Sequence, residues 1–245
     1  LHWTGGAFNA NSMCVTCHAT DVKTRYDPAS HSYDTTWAGI DVGCEACHGP
    51  GSSHVTWAET QNTENPLAPP PDHGLLVGLA PATPDNRDRA AQQREIDVCA
   101  RCHSRRRQIH PDDEIGQPFH DAFVPELLQS NLYYPDGQIR DEVYVYGSFV
   151  QSRMAAEGVR CSHCHNPHSG RLVAEGNALC QTCHDASYNS PSHTHHNAES
   201  AASQCVECHM RPRTYMGIDA RRDHGFHIPR PDWTVRSEVP NACNA

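Results

Sequence analysis

The chain has 245 residues, a formal charge of −10 from 19 Lys and Arg against 29 Asp and Glu, and 13 cysteines beside 19 histidines. The acidic balance argues against nucleic acid as a partner, and no run approaches the roughly 18–20 apolar residues of a membrane span. With hydrophobic residues at 37%, aromatics at 7% and a mean hydropathy of −0.67, side chains alone make a thin core, so something else must fill the interior.

Taken in chain order, residues 1–60 carry Cys14-Val-Thr-Cys17-His18 and Cys44-Glu-Ala-Cys47-His48. Residues 61–87 read as a linker, because Asn65-Pro66-Leu67-Ala68-Pro69-Pro70-Pro71-Asp72 can be neither helix nor central strand. In 88–158 a helix is expected over 88–108, carrying Cys99-Ala-Arg-Cys102-His103 and closed by Pro111. A short helix is expected from Pro125 to Ser130, and a turn at Pro135-Asp136-Gly137. A second helix is expected over 141–157, where Val143, Tyr146, Val150 and Met154 recur at helical spacing before Gly158. Residues 159–245 crowd in Cys161-Ser-His-Cys164-His165, Cys180-Gln-Thr-Cys183-His184 and Cys205-Val-Glu-Cys208-His209, and end on Asn241-Ala242-Cys243-Asn244-Ala245. No alternating run is long enough to predict a sheet. The four segments are expected to form one compact unit.

Twelve of the 13 cysteines thus fall into six copies of Cys-x-x-Cys-His. Disulfides and zinc sites also use Cys-x-x-Cys pairs, but neither requires a histidine after the second cysteine. Covalent haem does. Two sulfurs one turn apart form thioethers to the two vinyl groups, and the next residue brings an imidazole to the iron. The motifs predict six haems c, held by Cys14, Cys17, Cys44, Cys47, Cys99, Cys102, Cys161, Cys164, Cys180, Cys183, Cys205 and Cys208, with His18, His48, His103, His165, His184 and His209 as proximal ligands. About 41 residues per haem (245/6) leave the porphyrins to serve as the core. The expected fold is therefore mainly α with extensive loops, little or no β, and a core of stacked haems. Eighteen Arg against one Lys supply planar forks suited to propionates. Cys243 would open a seventh motif if the parent chain continued past Ala245 into Cys-His, and Leu1 suggests a mature or trimmed chain.

Thirteen histidines remain (19 − 6) as sources of sixth ligands. His54 follows the second motif across Gly-Pro-Gly, and His168 follows the fourth across Asn-Pro, so each turn sends a second ring away from its own motif. His193, His195 and His196 cluster between the fifth and sixth motifs. His224 has Asp223 beside it, a carboxylate able to orient the ring. His2 precedes the first motif, and His120 lies in a long segment without one.

These motifs, with Cys47-His48-Gly-Pro-Gly-Ser-Ser-His54, Cys164-His165-Asn-Pro-His168-Ser and Arg221-Arg222-Asp223-His224-Gly-Phe226, resemble the multihaem c-type cytochromes of the superfamily that includes pentahaem nitrite reductase, octahaem hydroxylamine oxidoreductase and tetrathionate reductase. Within it, the whole chain looks most like the cytochrome portion of tetratricopeptide-linked multihaem proteins. The resemblance implies that His54 and His168 are distal ligands, and that the chain continues past Pro240-Asn241-Ala242-Cys243 into another Cys-His.

Histidine on both faces of an iron leaves no vacant position and gives low potentials, which suits electron passage rather than substrate binding. The expectation is an electron-transfer chain with a redox protein donor and acceptor, its sharper form a subunit of an extracellular filament built from copies of itself. The alternative is an oxidoreductase acting on a small nitrogen or sulfur compound at one five-coordinate haem. Because c-type haem is attached outside the cytoplasm, a periplasmic or extracellular location is expected.

Overall fold

The computed structural model describes residues 9–61, 68–111, 113–215 and 217–244. Its longest helix, Arg89–His103, starts where the Asp88 carboxylate accepts a hydrogen bond from the Ala90 amide at 2.9 Å, a side-chain N-cap. Ala91, Glu95, Ile96, Val98 and Ala100 are buried along it. The helix stops at His103 rather than running on to 108, because Ser104 turns extended (φ −128°, ψ 147°) and bridges to Tyr144. Arg106–Gln108 then forms a strand beside Phe123–Pro125.

That strand also displaces the short helix expected from Pro125. Phe123 is buried at 4% exposure, and anchoring it in a strand outweighs the helix propensity of residues 126–129, which tertiary packing readily overrides. The helix expected over 141–157 is likewise split into Tyr146–Gln151 and Arg153–Ala156, with Ser152 between them. The Ser152 hydroxyl caps the second piece by accepting from the Ala155 amide at 3.0 Å. Val143 lies ahead of both, fully buried with Leu132, Tyr133, Ile139 and Tyr215 in a five-residue apolar cluster. The turn at Gly137 is present: Gly137 takes φ 86°, its amide donates to the Tyr134 carbonyl, and Tyr133 bridges Ile139.

The expectation of little or no β needs amending. Short ribbons pair Tyr26–Asp27 with Ser32–Tyr33, Arg106–Gln108 with Phe123–Pro125, His165–Asn166 with Arg171–Leu172, and Pro212–Tyr215 with Asp219–Arg222. With strands of two to four residues, none is long enough to leave an alternating pattern in the sequence. The fold is mixed, with short helices, small ribbons and long loops.

The chain divides into two compact units. One gathers residues up to Ala80 with Gln93–Cys102 and Arg106–Val124; the other gathers Pro81–Gln92, His103–Arg105 and Pro125–Ala245. Val42, Val55, Leu76 and Val173, all near the motifs, stay more than half exposed. Among the described residues, no helix is long and apolar enough to cross a membrane.

Candidate haem sites

Every Cys-x-x-Cys-His segment is a single turn of backbone. The Cys17, Cys47, Cys164 and Cys183 amides bond back to the carbonyls of Cys14, Cys44, Cys161 and Cys180 at 3.0–3.2 Å. The third and sixth motifs lie in the helices Arg89–His103 and Cys205–His209. Each pair of sulfurs is therefore one turn apart with the imidazole next in line, the arrangement that two thioethers and a proximal ligand require. No disulfide joins the cysteines, and among the described residues no three His, Cys, Asp or Glu side chains converge as a metal-ion site of the kind the zinc alternative needs.

In the first unit the motifs meet through sulfur. Cys17 Sγ lies 3.9 Å from the Cys102 carbonyl and 3.7 Å from Arg106 Nη2. As thiols the pair would split: hydrogen bonding to Cys102 and the Arg106 charge draw Cys17 down to about 5, while bonding to Cys17 and burial drive Cys102 up. Arg106 Nε is buried without a hydrogen-bond partner, a donor suited to a propionate. His48 Nδ1 donates to the Val77 carbonyl at 2.8 Å, and His54 Nδ1 donates to the His73 carbonyl at 2.8 Å. A carbonyl can only accept, so both rings carry their lone pair on Nε2, the atom that an iron takes. A cavity of about 330 Å³ lies beside the same loop, lined by Leu76, Val77, Val98, Ile115 and Arg94 among others.

In the second unit motif histidines pair with other imidazoles. An imidazole centroid sits about 1.2 Å behind its ligating nitrogen, so two rings sharing a metal at ~2.0 Å on either side stand roughly 6.3 Å apart. His165 and His224 stand 6.3 Å apart at 27°, and His193 and His209 stand 6.1 Å apart at 10°. Nδ1 of His224 donates to the Arg222 carbonyl at 2.9 Å, and Nδ1 of His209 donates to the His227 carbonyl at 3.0 Å. Burial holds His165 and His224 below the usual histidine range, which favours the neutral ring that a ligand needs.

Asp223 does not orient His224, contrary to what their adjacency suggests. Its carboxylate accepts from the Ile139 and Gly225 amides at 2.7 Å each and faces His227 Nε2 at 3.7 Å. The fifth and sixth motifs are tied by Asn177. Its Oδ1 accepts from the Cys205 amide at 2.8 Å, and its Nδ2 donates to the Ser203 carbonyl and to Asn189 Oδ1. Sequence reasoning passed over Asn177 and the backbone carbonyl of His227; nothing in an isolated Asn or a carbonyl signals such a role.

The other candidates are placed as follows. His120 packs edge-on against Phe119 at 5.1 Å, and His168 sits at the tip of the ribbon that starts with His165. His195 takes a left-handed backbone (φ 59°) that ends the helical turn holding His193, and His196 is exposed beyond it. His2 lies outside the described residues. His163, beside the fourth motif, is committed elsewhere: Nδ1 accepts from the Arg160 amide and Nε2 donates to the Thr83 carbonyl.

The donor set thus fits covalent haem. The family described as cytochrome c554 and c-prime matches residues 4–49, and the doubled CXXCH motif family matches residues 153–189. No curated protein matches. Among solved structures, the undecahaem cytochrome from the S-layer of Carboxydothermus ferrireducens is 16% identical, with a TM-score of 0.40; the match covers 90% of this chain and 39% of that one. The chain therefore spans well under half the length of that protein. The two family matches contain the first, second, fourth and fifth Cys-x-x-Cys-His turns, and they support a multihaem c-type cytochrome.

Proposed function

We propose that the chain is an electron carrier holding six haems c, most of them between two histidines. The observation that carries this reading is the two imidazole pairs, His165 with His224 and His193 with His209, whose centroid separations of 6.3 Å and 6.1 Å match those of two rings on one iron. Haem c, when bound, supplies a one-electron iron couple. The protein's part is to anchor it and fill its axial positions. The twelve motif cysteines hold it covalently, and His18, His48, His103, His165, His184 and His209 ligate from one side. His224 serves opposite His165 and His193 opposite His209. Distal ligands for the other sites come from His2, His54, His120, His168, His195 and His196. Adjacent turns, such as those of Cys17 and Cys102, bring neighbouring sites close enough for electron exchange.

The carrier would work outside the cytoplasm between a redox protein donor and acceptor, and in its sharper form would repeat as a subunit of a filament. The test is a haem count by pyridine haemochrome and intact mass, together with EPR of the oxidised protein. Six covalent haems with low-spin signals are expected. A high-spin haem that binds cyanide or nitrite would overturn the carrier reading in favour of a small-molecule oxidoreductase. Replacing His224 or His193 by Ala should each turn one haem's worth of intensity high-spin.

A further inference from the structure

Between the fifth and sixth motifs, the Tyr188 ring meets two histidines edge-on. Its centroid lies 6.4 Å from that of His184 at 86°, and 5.1 Å from that of His193 at 77°. His193 in turn lies 6.1 Å from His209 at only 10°. The local backbone fixes these contacts. Asp185, the residue after His184, caps the short turn Ala186–Tyr188 by accepting from the Ser187 amide at 2.8 Å. The Ser190 hydroxyl donates to the Ser187 carbonyl at 2.6 Å, and Pro191 opens the turn Pro191–Thr194 that carries His193. The softest remaining coordinate is the rotation of the His193 ring about its last torsion, which has broad minima and takes its value from neighbours.

Tyr188 is 51% exposed, so apolar burial is a weak reason for its place. An aromatic ring offers its positive edge or its negative face, and near-perpendicular contacts with both imidazoles use that preference.

The geometry points to Tyr188 as the positioning residue of the sixth site: its ring sets the plane of His193 opposite His209, and it is the shared neighbour of one axial histidine from the fifth site and one from the sixth. This rests on the reading of His193 and His209 as ligands of one iron. The angle between two axial imidazole planes governs the splitting of the iron d orbitals, so ring orientation is visible in the low-spin EPR spectrum even when ligand identity is unchanged.

The experiment compares the loaded protein with Tyr188→Phe and Tyr188→Leu by haem count, far-ultraviolet circular dichroism and EPR. Tyr188→Phe keeps the ring and should match the parent. Tyr188→Leu should keep the haem count and fold while one haem's worth of the rhombic low-spin signal, the form expected of near-parallel rings, shifts or is lost. An unchanged spectrum in Tyr188→Leu, or an equal change in both variants, would overturn the proposal. His193→Ala separates the two levels: if it leaves every haem low-spin, the ligand assignment itself fails, whatever Tyr188 does.

Discussion

In the first unit, the cysteines of the third motif ride on a fifteen-residue helix whose Arg101 is buried against Asp113; in the second, the fifth motif starts in, and the sixth fills, a helix of five residues, and the two are tied by one amide, Asn177. A long helix satisfies most of its own backbone and needs only a cap and an anchor. Arg101 is such an anchor, bonding both Asp113 oxygens and the Glu114 and Gln117 carbonyls. A helix of five residues satisfies almost none of its ends, so side chains from other segments must do it. Dense packing of haem motifs therefore trades secondary structure for specific polar ties.

The comparison breaks most readily at Arg101. Removing one partner of a buried ion pair leaves the other uncompensated, so Arg101→Ala should cost about 3–5 kcal/mol in denaturant unfolding of the loaded protein. A loss below about 1 kcal/mol would mean that the helix needs no anchor. Asn177→Ala removes three hydrogen bonds at about 1 kcal/mol each, for a loss of roughly 2–3 kcal/mol by the same measurement. Asn177→Asp keeps the acceptor for the Cys205 amide and should fall between the two.

A third prediction concerns the apolar cluster. Burial pushes Tyr133 up to about 12, whereas in the unfolded chain it ionises near pH 10. Its contribution is complete below pH ~10 and lost as pH rises through 12, amounting to about 2 kcal/mol by that point. Tyr133→Phe should flatten this part of the alkaline stability curve, and parallel curves for variant and parent would refute it. The smallest effect is at the cap: Asp88→Ala should cost about 1 kcal/mol, and Asp88→Ser should restore most of it.

The motif turns were legible in the sequence because thioether chemistry fixes the spacing of Cys, Cys and His locally. The helix from Arg89 was legible too, through its lack of Gly and Pro. Its end was not, because the pairing of Ser104 with Tyr144 is a contact forty residues away (144 − 104). The same limit hides the ring pairs: His224 lies 59 residues after His165 (224 − 165), and His193 lies 16 before His209 (209 − 193). A histidine cluster and a neighbouring carboxylate could nominate His193 and His224 as candidates but could not say which partner each would meet. Asp223 misleads for a related reason: its carboxylate is taken by the Gly225 amide and by that of Ile139, 84 residues away in sequence.

His103 is the last residue of the long helix, a position that no other motif histidine shares at comparable length. Aligned peptide dipoles leave roughly half a negative charge at such an end, worth about 0.3–1 kcal/mol to a nearby cation. An iron held there would carry one more positive charge when ferric than when ferrous, so the helix would favour the oxidised form by on the order of 10–40 mV for one electron. The secondary structure that makes the third motif the best built of the six would also make it a small uphill step in the redox profile of the chain.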